Sequence, residues 1–182
     1  NVISDGDINI VSTDDVVMSE RATVESISGD VTFNSRNLQL ATVKAVNGVA
    51  TMDIRGAITD GNGGAINVIA NRWQADALNG IGSGLGKTGD ADAIETDVNI
   101  LSVRNAGRLE PTMAASSINI ANTDSIIIEQ LRNNGDIGFS TQTGEIVLDN
   151  TNNDIYDPTL TDARLQGGVI NTNAGLFSRL QL

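Results

Sequence analysis

At 182 residues the chain is long enough for one domain with a real core, and two are not required. Its 11 Lys and Arg stand against 23 Asp and Glu, a net charge of -12, which disfavours nucleic acid or an anionic membrane as partner and permits divalent cations at the surface. With no cysteine and no histidine, a disulfide framework, thiolate metal sites, Ser-His-Asp catalysis and most zinc or iron sites are excluded.

Apolar residues make up 40% of the chain, yet the only aromatics are Phe33, Trp73, Phe139, Tyr156 and Phe177. Aromatics usually supply core volume, so this composition points to a thin core of stacked aliphatics. No apolar run approaches the roughly 18 residues that span a bilayer, so no membrane insertion is expected. The chain opens at Asn1 without a basic-then-apolar leader, and it is expected to be a processed product or an internal piece of something longer.

In chain order, the first phrase is Gly6-Asp7-Ile8-Asn9-Ile10, followed by Val16-Val17-Met18 and Ala22-Thr23-Val24. Gly29-Asp30-Val31-Thr32-Phe33 repeats it, and Gly48-Val49-Ala50-Thr51-Met52 is a third version. Gly56-Ala57-Ile58 and Gly64-Ala65-Ile66-Asn67-Val68 echo it. The phrase returns at Ser117-Ile118-Asn119-Ile120, Gly135-Asp136-Ile137-Gly138-Phe139, Gly144-Glu145-Ile146-Val147-Leu148 and Gly168-Val169-Ile170. Short alternations bounded by turn formers are strand signals, and no segment carries helical spacing. A loose period near 20 residues predicts an all-β solenoid of about nine turns in which the phrase stacks on itself as a parallel sheet. Asn9, Asn67, Asn99 and Asn119, each between two inward apolar residues, are expected to face solvent. A Gly-rich loop near 80–92 breaks the rhythm, and Pro158 marks a turn in the polar stretch that follows Asn150.

Between Ile66 and Ile120 the order Ile-Asn-Val-Ile-Ala, Gly-Ile-Gly, Ile-Glu-Thr-Asp-Val, Asn-Ala-Gly, Ile-Asn-Ile resembles the repeat of filamentous-haemagglutinin-type exoproteins, the large adhesins of two-partner secretion and related systems. The resemblance covers Gly48 to Asn150, and the remainder follows by rhythm. It implies a right-handed parallel β-helix within a long extracellular or cell-surface bacterial protein. The family's N-terminal secretion domain is not in this sequence.

Candidate sites are few. Ser83-Gly84-Leu85-Gly86-Lys87-Thr88 invites comparison with a phosphate-binding loop, but the glycine required five residues before Gly86 is replaced by Ile81, and no helix pattern follows. Asp60, Asp90 and Asp92 are weak calcium candidates, with Glu95 and Asp97 nearby; calcium wants six to eight oxygens and neither cluster shows a complete set. Acid pairs such as Asp14-Asp15 raise two-carboxylate sugar chemistry, but the aromatic platforms of sugar-cleaving grooves are scarce, and a packed Trp73 is favoured over a ligand contact.

The expected function is therefore structural and adhesive, without enzyme activity or a required cofactor: a rigid rod or filament for attachment or biofilm cohesion. The alternative is a polysaccharide-binding or -cleaving β-helix of lyase or tailspike type. Neither end reads as a polar cap, so further turns of the same protein or of neighbouring copies are expected to continue the stack, with host or matrix glycans as other partners.

Overall fold

The computed structural model describes residues 1–82, 93–105, 117–133 and 137–148, together with the strands Leu165–Gln166, Ile170–Ala174 and Leu180–Gln181. Among the described residues seventeen strands run in order: β1 Val2–Ser4, β2 Ile8–Val11, β3 Val16–Val17, β4 Thr23–Ser26, β5 Val31–Ser35, β6 Leu38–Leu40, β7 Thr42–Ile54, β8 Ile58–Asp60, β9 Val68–Ala77, β10 Ile94–Asn105, β11 Ile118–Asn122, β12 Ile126–Asn133, β13 Ile137–Thr141, β14 Ile146–Leu148, β15 Leu165–Gln166, β16 Ile170–Ala174 and β17 Leu180–Gln181. The described residues include no helix, and so none long and apolar enough to cross a membrane.

Strand after strand pairs in parallel with the strand one winding later, which makes the chain a parallel β-helix. Three faces repeat. On the first, Val2, Val24, Val43, Val68, Thr96, Asn122, Thr141 and Ala174 form one column of register partners. On the second, Ile8, Val31, Ala50, Trp73, Leu101, Ile128 and Leu148 form another. On the third, Val16, Leu38, Ile58, Ile81, Ile118, Ile137 and Ile170 stack likewise.

Five turns lie between Val2 and Asn122, and the pairings carry the column on to Thr141 and Ala174. Most turns are longer than 20 residues, so there are fewer than nine. Val2 to Val24 is 22 residues, Val24 to Val43 19, Val43 to Val68 25, Val68 to Thr96 28 and Thr96 to Asn122 26. The extra residues enter at corners. Passing from the first face to the second takes only five to seven residues in each of these turns (Val2 to Ile8, Val24 to Val31, Val43 to Ala50, Val68 to Trp73, Thr96 to Leu101). From the third face to the first takes five between Leu38 and Val43 but fifteen between Ile81 and Thr96. A corner can lengthen without disturbing the stacked columns, whereas an extra residue within a face has to be taken up by a bulge.

The glycine phrase consequently does not form one sheet. Its copies at Gly6, Gly29 and Gly48 do stack, on the second face. Those ending in Ile58, Ile118, Ile137 and Ile170 enter the third face, the one ending in Val68 enters the first, and the one ending in Ile146 enters the second. Every corner wants a small residue and every face wants an inward β-branched one, so the phrase marks a corner without saying which.

The core is aliphatic, and large residues meet small ones. Trp73 stacks on Ala50, and Phe33 lies between Ile10 and Met52, which in turn meets Ala75. Trp73, Phe33, Ala50 and Met52 are all buried, so a wide indole fits where its neighbour has given up volume. The Trp73 indole N–H is not orphaned there, because it donates to Met52 Sδ at 3.3 Å. The solid run Ile126-Ile127-Ile128 alternates as a strand should: Ile126 and Ile128 point in, and Ile127 is exposed.

Candidate functional site

The loop between β8 and β9 carries the one calcium candidate that lies among the described residues. Asp60 closes this loop on itself. Its Oδ1 accepts the Asn62 N–H at 2.9 Å and the Asn67 side-chain N–H at 2.9 Å, while Oδ2 accepts the Gly63 N–H at 2.9 Å. Gly63 and Gly64 follow with φ of 52° and 66°, the left-handed region that glycine adopts without strain, and the chain reverses there. Three donors fix the Asp60 carboxylate as the pivot of a turn. Asp90 and Asp92 lie outside the described residues, as does the stretch 83–88. Among the described residues no group of three or more acidic, His or Cys side chains could hold a metal ion.

Asn67 departs from its expected place. Instead of facing solvent it is fully buried at the corner between the third and first faces. Its amide nitrogen donates to Asp60 Oδ1, to Asn62 Oδ1 at 2.9 Å and to the Ala41 carbonyl at 3.1 Å, and its Oδ1 accepts the Glu95 N–H at 2.9 Å. One side chain thereby fastens three successive windings, through Ala41, its own loop and Glu95. Asn9 and Asn99 are exposed and Asn119 half-buried, as the alternation predicts. Alternation places a residue on a strand, but Asn67 precedes β9 and belongs to a corner, where the two-residue period does not operate.

Amides also stack elsewhere. Asn99 donates to Asn71 at 3.1 Å on the outside of the corner between the first and second faces. Asn105 is buried above Asn133, donates to it at 2.6 Å, and accepts the Gly80 N–H at 2.9 Å. In the first-face column the aliphatic run gives way to Thr96 and Asn122, joined at 2.7 Å, and Asn122 Oδ1 also accepts the Val98 N–H at 3.1 Å. Apart from the exposed Asn71–Asn99 pair, these groups are buried and hydrogen-bonded, as buried amides must be.

The outward surface of the second face is charged and paired. Arg104 pairs with Asp76 on the adjoining winding. Arg72 pairs with Glu129 two windings away, past Ile100. Glu129 is the extra residue of a β-bulge, because Leu101 opposes Ile128 while Ser102 opposes Gln130. On the first face Lys44 stands 3.9 Å from Glu25. Of the acid pair Asp14-Asp15, Asp15 accepts from Arg36 Nε and from Asn37 Nδ2, each at 2.8 Å. The Arg36 hydrogen bond, then that of Asn37, holds the Asp15 carboxyl below its ordinary range, and the same bond raises Arg36. Trp73, weighed as a ligand contact, is packed in the core. Chemically, these acids, bases and amides link one winding to the next. The signal that could have found them is a spacing of one turn between complementary side chains, as in Asp76 to Arg104 and Asn105 to Asn133, 28 residues each.

No family model, no curated protein and no solved structure matches the chain.

Proposed function

We propose that the chain is a structural and adhesive segment of a large bacterial cell-surface or secreted protein of filamentous-haemagglutinin-like type, working as a rigid rod for attachment or biofilm cohesion. The observation that supports this reading most is the use of polar side chains to fasten windings together. Asn67 ties three of them, and Arg72 reaches Glu129 across two. Each inner strand has its backbone paired on both edges, at about 4.8 Å per winding, so bending the rod requires stretching many hydrogen bonds at once. A rod made this way withstands load and proteases without a bound ligand. In this reading the partners are further turns of β-coil and glycans of a host or matrix, and the site of action is outside the cell.

The test is mechanical and adhesive. Beads coated with the purified chain should adhere to glycan-bearing surfaces and hold under flow, and the described core should resist proteolysis at 37 °C. A chain that is degraded as readily as an unfolded control, or that adheres no better than albumin, overturns the reading. Turnover of an acidic polysaccharide by the chain would replace it with the lyase alternative.

A further inference from the structure

The chain has four Asn-Gly pairs: Asn47-Gly48, Asn62-Gly63, Asn79-Gly80 and Asn134-Gly135, the last outside the described residues. Such a pair can lose ammonia, because glycine sets no side chain in the path of its own backbone nitrogen toward the asparagine amide. Attack needs a free glycine N–H and an accessible amide. The three described pairs differ in both.

Two are tied down. The Gly63 N–H donates to Asp60 Oδ2 at 2.9 Å, and the Asn62 side chain is buried, donating to the Ala41 carbonyl and accepting from Asn67. The Gly80 N–H donates to Oδ1 of the buried Asn105 at 2.9 Å. Asn47-Gly48 is held in neither way. It sits at the corner between the first and second faces, where β7 pairs with β4 as far as Lys44 and with β5 from Ala50. Against β9 the register jumps from Ala45 to Val49. Val46, Asn47 and Gly48 thus have no register partner on either edge, and Asn47 is exposed. The preceding winding shows what is missing. There the Gly29 N–H donates to Ser26 Oγ at 2.8 Å. Ser26 follows Glu25; the residue that follows Lys44, the register partner of Glu25, is Ala45, buried and without a hydroxyl.

We infer that Asn47 is a deamidation site, the one among the three described pairs that converts while the chain is folded. The Gly48 nitrogen bonds to Asn47 Cγ, the Cγ–Nδ2 bond breaks, and the Gly48 proton leaves with the amide as ammonia. The resulting succinimide takes up water. Opening at Cγ gives aspartate; opening at the Asn47 backbone carbonyl gives isoaspartate, whose main chain runs through Cβ and Cγ. Either product adds a negative charge to the outside of this corner. Isoaspartate also lengthens the backbone, at a place where length varies between windings without moving the columns.

The experiment incubates the full 182-residue chain in mildly alkaline buffer, folded and in denaturing urea, and follows each pair by peptide mapping with mass spectrometry. Labelling by isoaspartyl methyltransferase measures the isoaspartate product. Breaking the hydrogen bond on Gly63 or Gly80 costs roughly tenfold in rate, so folded Asn47 should convert at least about tenfold faster than Asn62 and Asn79. In urea the three rates should converge. Ala45→Ser returns the hydroxyl that serves Gly29 one winding earlier, and it should slow Asn47 several-fold in the folded chain alone. Folded Asn47 converting no faster than Asn79 overturns the inference, whatever the variant does. So does a spread of rates that persists in urea, which would place the cause in local sequence. An Ala45→Ser chain of unchanged melt that deamidates at the original rate overturns it too.

Discussion

Replacing Asn67 with alanine tests most directly how this coil is fastened. The substitution leaves the Glu95 N–H without its acceptor in a buried corner, and orphaning such a donor costs about 1–3 kcal/mol. It also removes a charge-assisted hydrogen bond to Asp60, worth about 1.5–3 kcal/mol. Losses are softened because Ala41 O keeps the Asn62 side-chain donor at 3.0 Å and Asp60 Oδ1 keeps the Asn62 N–H. A net loss of about 2–5 kcal/mol results. Asn67→Asp should cost at least as much, because it presents an anion to Asp60, Asn62 Oδ1 and the Ala41 carbonyl, all acceptors. The matched control is Asn9→Ala, from the same Ile-Asn-apolar triplet but exposed, with an expected effect within about 0.5 kcal/mol. Urea unfolding followed by circular dichroism gives both values, and hydrogen exchange at the Glu95 amide reports the corner itself. If Asn67→Ala cost no more than Asn9→Ala, the idea that one amide ties three windings would be wrong.

Trp73→Ala should cost about 3–5 kcal/mol in the same assay, since Ala50 beneath it cannot fill the void; Trp73→Phe should cost less but still lose the N–H bond to Met52. Gly48→Ala, which drives a methyl into the Gly29 carbonyl, should lower stability by about 1–3 kcal/mol, and a neutral result would mean that the corners are looser than drawn. Glu129→Gln should cost about 1 kcal/mol, because the pair with Arg72 is only partly shielded, and a loss that does not shrink in 1 M salt would point to packing rather than charge. The Asp15 carboxyl is held below 3.8 by Arg36 and Asn37, so its folded value lies under its unfolded one. Its contribution is therefore complete above about pH 4 and is lost as pH falls through the folded value. An NMR titration of Asp15 should show that depressed midpoint, and Arg36→Gln should raise it toward the ordinary range, with the Asn37 hydrogen bond still holding it somewhat low.

The sequence alone determined that the chain is a β-coil. Short alternations with Gly, Asn and Asp between them admit no helix, and an inward aliphatic repeated once per turn needs another such residue above and below it. The stacking of Ile8, Val31 and Ala50 was legible in the glycine phrases that precede them, because those three corners have nearly equal lengths. The turn count, the face that each phrase enters and the inward turning of Asn67 were not legible. They depend on corner lengths, which vary from four to fifteen residues at one edge of the coil and leave no periodic trace. The bulge at Glu129 and its pairing with Arg72, 57 residues away, were equally hidden. Only the tertiary structure decided those partners, since which side chains become neighbours is set by the summed lengths of the corners between them.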